Sequence, residues 1–87
     1  RVYSMIIHID GKEKTSKKEV LSIFKDSFEE MYALNYDALL DVLTAYYEDK
    51  LIIEIAHADS LEDKKNLYEV LEIAEKENPN IIIIRSA

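Results

Sequence analysis

Apolar residues along the chain alternate between two kinds of pattern. Residues 3–10 (YSMIIHID), 51–56 (LIIEIA) and 81–85 (IIIIR) are short β-forming runs, and turn residues such as Asp10-Gly11 bound them. They read as three strands. Between them the apolar positions repeat at helical spacing. Val20, Leu21, Phe24 and Phe28 predict a helix over about 16–30, opened by the capping box of Ser16 and Glu19. The pattern breaks over Met31–Leu34. It resumes after Asn35, a good N-cap, to predict a second helix over 36–46. Leu67, Val70, Leu71 and Ala74 give the inner face of a third helix, with Ser60 as its expected cap, Asp63 as its capping-box acid and Asn78-Pro79 as its stop. Strands separated by helices imply crossover connections. The expected fold is therefore α/β: a small three-stranded parallel sheet, its strands covered by helices.

The length of 87 residues fits one domain spanning 1–87. A chain of this size buries only about 60–65% of its unfolded surface. An apolar content of 48% is enough for that one core, and a single Gly and a single Pro argue against disorder. There is no cysteine, which removes disulfides, thiolate metal sites and cysteine nucleophiles, and is compatible with a cytoplasmic location. The longest unbroken apolar runs span only a few residues, far short of the roughly 20 needed to cross a bilayer, and the first residues show no signal-peptide pattern.

Charge sharpens the picture. The net charge of −7 disfavours nucleic acid and anionic membranes as direct partners. Its distribution is uneven: residues 1–28 carry a net +2, residues 29–54 a net −6 and residues 55–87 a net −3. The acidic middle coincides with the second helix. On a helical wheel, Tyr36, Leu39, Leu40, Leu43, Tyr46 and Tyr47 share a broad apolar side. Asp37, Asp41 and Thr44 share the opposite side, flanked by Ala38, a further candidate contact, and by Ala45. Asp37 and Asp41 are four residues apart, so their carboxylates are neighbours. An acidic face of short side chains is open to close approach by a partner's guanidinium groups. Most i, i+4 acid pairs are nonetheless only a solvated face, and the wheel does not choose between the two.

The segment Tyr32-Ala33-Leu34-Asn35-Tyr36-Asp37-Ala38-Leu39-Leu40-Asp41-Val42-Leu43-Thr44 resembles the central segment of barstar-type ribonuclease inhibitors, whose pattern runs roughly Y-G-x-N-x-D-A-L-W-D-x-L-T. The order of elements is similar over nearly the whole chain, although only the N-x-D-A-L-x-D-x-L-T core is specific. The resemblance implies a barstar-like fold with three to four helices and a proteinaceous inhibitor, not an enzyme. The implied partner is a basic barnase-like ribonuclease, bound one-to-one by an inhibitor that is monomeric when free. By the same resemblance, Asp41 corresponds to the carboxylate that enters the nuclease's phosphate-binding pocket, and Asp37 to a second acidic contact. Tyr32 and Asn35 correspond to loop and cap residues at the contact surface, Thr44 to a further helix contact and Glu77 to a further acidic position. The implied principle is phosphate mimicry: a fixed carboxylate occupies a cationic cleft without being cleaved.

The chain also departs from that pattern. Ala33 stands in place of Gly, which matters if that position needs φ > 0. Leu40 replaces a Trp and Ala45-Tyr46 a Gly-Trp pair, so the aromatic part of the contact is expected to differ. Ile73 falls where the family offers a carboxylate from its last helix, with Glu69 and Glu77 one turn to either side.

Elsewhere the chemistry is sparse. His8 and His57 lie in or beside strands, and two ligands without a third rarely hold a metal. Tyr3, Tyr46, Tyr47 and Tyr68 read as packing residues, whereas Tyr32 and Tyr36 are better placed to meet a partner. No phosphate loop, cofactor motif or nucleophile–base spacing is present. Two other functions compete with inhibition of a nuclease. One is an acidic interaction or immunity domain directed at a different basic partner. The other is a hydrolase using Asp37 and Asp41 as an acid–base pair, against which stands the absence of a pocket on a convex helix face.

Overall fold

The computed structural model describes residues 4–86; Tyr3 lies outside them. The elements run β1 (Ser4–Asp10), α1 (Lys17–Ser27), α2 (Tyr36–Thr44), β2 (Lys50–Ala56), α3 (Lys64–Glu77) and β3 (Ile81–Ser86), with a 3₁₀ turn at Ala58–Ser60. The sheet has the order β1-β2-β3 and both pairings are parallel. The expected α/β fold of three parallel strands with helices is what the chain adopts, with three helices.

The register explains where the core sits. Ile7 aligns with Ile53 and Ile83, and Met5 with Leu51 and Ile81, so one face of the sheet presents a continuous aliphatic surface. α1 and α3 lie directly against it. α1 packs on β1, α3 on β3, and α2 packs against both α1 and α3. Phe24, Leu39, Leu43, Leu71 and Ile55 are fully buried at the centre. Phe28 and Tyr46 meet edge to face, with ring centroids 5.6 Å apart at 72°, a geometry that contributes about 0.5–1.5 kcal/mol beyond the buried area.

The helices cover the strands on one face, and the opposite face of the sheet is open. Ile6 aligns with Ile52 and Ile82, and of these Ile6 and Ile82 are exposed, as is Ile84 one row along. The isoleucine runs are β-forming on both faces, but every connection returns its helix to the same side.

Helix boundaries also differ from the sequence reading. α1 stops at Ser27, because Phe28 turns to an extended conformation that drives its ring into the core. α2 ends at Thr44, one turn after Asp41. Ser60 does not cap α3. It closes the short 3₁₀ turn, and Asp63 occupies the N-cap position without making a capping bond. The Asp63 carboxylate accepts instead from the Tyr36 hydroxyl at 2.7 Å and from the Asn66 side chain at 2.8 Å. A tertiary partner outcompeted the local one. Among the described residues, no helix is long and apolar enough to cross a membrane.

Candidate functional site

α2 is fixed at both ends. At its start the Asn35 side chain accepts from the Ala38 N–H at 2.8 Å, the cap that the sequence predicts. One residue on, the Tyr36 hydroxyl ties this end to Asp63, and burial together with that carboxylate pushes the Tyr36 phenol well above its ordinary pKa. Lys17 lies over the same ring, 4.8 Å from its centroid. At the far end Asn78, fully buried, donates to the carbonyls of Leu43 and Tyr46 at 2.8 and 2.6 Å. The helix is thus held by its own cap, by α1 and by both ends of α3.

With α2 fixed in this way, its outward residues are set. Asp37 and Asp41 are exposed, and among the described residues neither takes part in a salt bridge. Thr44 is half-buried, and its hydroxyl donates back to the Leu40 carbonyl at 2.8 Å. Asn35 is exposed beside its cap bond, and Tyr32 stands out from the preceding loop with 65% of its surface exposed.

Ala38 requires a correction. It is wholly buried, so its methyl cannot meet a partner. The wheel puts it at the edge of the acidic face, but α2 is flanked by two helices, and the covered arc is wider than an amphipathic pattern on one wall would give. The outward arc runs instead through Asp37, Asp41 and Ala45, edged by the half-buried Leu40 and Thr44.

Glu77 is exposed at the last position of α3, immediately before Asn78, and so lies towards the Leu43–Tyr46 end of α2, away from Asp37. Ile73 is 47% exposed on the same helix. A hollow of about 640 Å³ along Glu69, Glu72, Ile73 and Lys76 has walls from α3 alone, so it is an open helix surface and not a built site.

A smaller hollow, about 270 Å³, is assembled from three stretches of chain: Glu30 and Tyr32 before α2, Asp41 on it, and Tyr46, Tyr47 and Glu48 after it. Sequence reasoning had found Tyr32 and Asp41 but not Glu30, Tyr47 or Glu48. Tyr47 was expected to pack. Instead Tyr46 turns inward, 9% exposed, and Tyr47 is left 59% exposed. The wheel could not separate the two, because α2 ends at Thr44 and helical angles no longer apply beyond it.

The loop question raised by Ala33 resolves simply. Among the described residues only His57 combines a side chain with positive φ, so Ala33 sits in ordinary backbone that does not demand glycine. The two histidines have separate neighbours: His8 lies 3.7 Å from Glu54, and His57 3.0 Å from Asp10. Among the described residues, no group of three or more His, Asp or Glu side chains is placed to hold a metal.

The family model described as Barstar (barnase inhibitor) matches residues 4–81, which includes every strand start, all three helices and the whole of the α2 surface. The chain belongs to the barstar family. No curated protein matches it. Members of this family are inhibitors and not enzymes, and a barnase inhibitor-type domain is the coarse functional class that the match supplies.

Proposed function

We propose that this barstar-family chain inhibits a basic ribonuclease by placing the acidic face of α2 in the enzyme's active site. The single observation that carries the reading is a pair of exposed carboxylates, Asp37 and Asp41, without internal cation partners among the described residues, on a helix anchored at both ends.

The chemistry follows from what a ribonuclease must provide. Its cleft is cationic where the RNA phosphate binds, and a carboxylate at residue 41 presents the same charge without a scissile bond. Because α2 is already ordered, binding need not bear the cost of organising it. An unpaired Asp41 likewise has no internal ion pair to break. The net −6 over residues 29–54 would draw a basic enzyme towards this face, the behaviour for which the barnase–barstar pair is itself the known illustration. Tyr32, Asn35, Thr44 and Glu77 are further contacts in this reading, Glu77 lying towards the far end of α2, and the complex is one-to-one.

Titration of the chain against small basic ribonucleases, with residual RNA cleavage as the readout, tests the proposal. Stoichiometric loss of cleavage, with an association rate that falls as salt is added, is the expected result. Inhibition that survives Asp41→Ala undiminished refutes the site. Failure to inhibit any such enzyme, together with capture of a different cationic protein through the same face, would favour an interaction domain with another basic partner.

A further inference from the structure

The sheet face that no helix covers carries a charge pattern as well as an apolar one. Ile6, Ile52 and Ile82 form one row across the three strands. Ile6 is 60% exposed, Ile82 and Ile84 are also exposed, and Ile52 is half-buried between its neighbours. Two positions to either side of Ile52 on β2 stand Lys50 and Glu54, on the same face because side chains alternate along a strand. Lys50 is exposed, and among the described residues it takes part in no salt bridge. Glu54 is half-buried and lies 3.7 Å from the exposed His8. Isoleucines scattered singly over a surface need no explanation. A contiguous row of them, flanked evenly by one cation and one anion, is complementary to itself.

We infer that two copies of this chain associate through this face, about a two-fold axis that runs along the isoleucine row, across the strands. In a closed pair of identical chains, each residue that meets another is met by it in return. Two orientations of the axis can stack one sheet face on the other. With the axis along the strands, Lys50 would face Lys50 of the second copy and Glu54 would face Glu54, and both contacts repel. With the axis across them, the strands of the two copies run antiparallel. Lys50 of each copy then faces Glu54 of the other, while Ile6, Ile52 and Ile82 meet their own equivalents. The charges choose this second arrangement. Packed sheets lie about 10 Å apart with strands within about 30° of alignment, a spacing that interdigitated isoleucines fill. Three strands about 4.8 Å apart and about 20 Å long give a footprint of roughly 300 Å². A standard interface takes about 800 Å² from each partner, so the pair is weak, with Kd on the order of 10–500 μM. Below that range the chain is the monomer that its family resemblance implies. The inference is independent of the proposed function, since α2 belongs to the helical layer on the other side of the sheet and stays accessible in the pair.

Sedimentation equilibrium of the full chain, from about 10 μM to about 1 mM, tests the pairing. Wild type should show a reversible monomer–dimer equilibrium. Lys50→Glu and Glu54→Lys should each raise Kd by about 10-fold or more, because each sets like charges against one another across the axis. An equimolar mixture of these two variants should regain the dimer, since in the mixed pair both contacts join opposite charges again. The double variant Lys50→Glu/Glu54→Lys should pair as wild type does. Ile6→Lys should abolish the dimer, and Asp41→Ala should leave it unchanged. All the altered side chains are at least half exposed or half-buried at the surface, and thermal unfolding of each dilute variant verifies the fold. Wild type that stays monomeric at about 1 mM overturns the proposal and leaves the face to a different protein. Single charge reversals that leave the dimer intact, or a mixture that fails to regain it, also overturn the proposal, and the pair then forms elsewhere, such as along the edge of β3. None of these outcomes bears on nuclease inhibition, which is read in a separate assay.

Discussion

The side-chain amide of Asn78 donates to the backbone carbonyl of Tyr46 at 2.6 Å, across 32 residues of sequence. Its second donor bond reaches the Leu43 carbonyl, and its oxygen accepts from the Asn80 N–H at 3.0 Å. One buried side chain therefore binds the Leu43 carbonyl in the last turn of α2 and the Tyr46 carbonyl just beyond it, and starts the turn into β3. Asn78→Ala would leave the Tyr46 carbonyl without its partner and the Leu43 carbonyl with only long backbone bonds such as that from the Tyr46 N–H at 3.4 Å, at a cost of about 1–3 kcal/mol for a group left unpaired. The expected result is a large fall in the urea midpoint of unfolding, with the effect on nuclease binding exceeding that of a distant core substitution of equal cost. A midpoint unchanged within error would show that water replaces the amide there.

The sequence reads Asn78 only as a helix stop ahead of Pro79, and the difference shows which kinds of feature are legible. Period and caps are local properties, so the three strands, the Ser16 and Asn35 caps and the acidic arc of Asp37 and Asp41 could be placed from spacing alone. Partners separated by 27 to 47 residues could not: Tyr36 with Asp63, Asn78 with Tyr46, His57 with Asp10. The burial of Ala38 and the exposure of Tyr47 fail for the same reason. Each depends on which helix lies alongside, or on where α2 ends, and no helical wheel contains that information.

Asp41 should show function and stability pulling in opposite directions. Like charges four apart on a helix destabilise it by about 0.2–0.5 kcal/mol, and no lysine relieves this pair among the described residues. Asp41→Asn should therefore leave stability unchanged or raise it by a few tenths of a kcal/mol. The same substitution should weaken nuclease binding by about 2 kcal/mol or more, as expected when one member of a desolvated charge pair is lost. Chemical denaturation and inhibition assays on the one variant check both halves. A loss of stability parallel to the loss of binding would mean that Asp41 serves the fold.

Gly11 is required by proximity and not by a left-handed backbone. It donates to the Ala56 carbonyl at 2.9 Å as β1 ends, and a Cβ there would collide with the His57 carbonyl oxygen. That oxygen belongs to the backbone of a residue already held at φ 53, tied through its ring to Asp10. Neither side can yield cheaply. Gly11→Ala should cost at least the roughly 1–3 kcal/mol of an overpacked core site, seen as a lowered melting temperature. A near-neutral effect would show that the β1–α1 connection can shift as a unit.

Acid should destabilise the chain through carboxylates that the fold holds ionised. The Ser16 backbone N–H, and then its hydroxyl, hold the Glu19 carboxyl below its ordinary value of 4.5. The Lys12 N–H and then His57 do the same for Asp10, and Lys64 does so for Asp59, both from an ordinary 3.8. A group whose folded pKa is depressed binds its proton more readily in the unfolded chain. The stability it adds is complete above the unfolded value and is lost as the pH falls towards and through the folded one. Urea midpoints should accordingly be insensitive to these groups down to about pH 5 and decline below about 4.5. Glu19→Gln should be less stable than wild type at pH 7, and the gap should narrow as the pH drops below 4, because protonation removes from the wild type what the variant already lacks. A gap that stays constant across this range would mean that the capping box works through its hydrogen bonds alone, with no contribution from the charge.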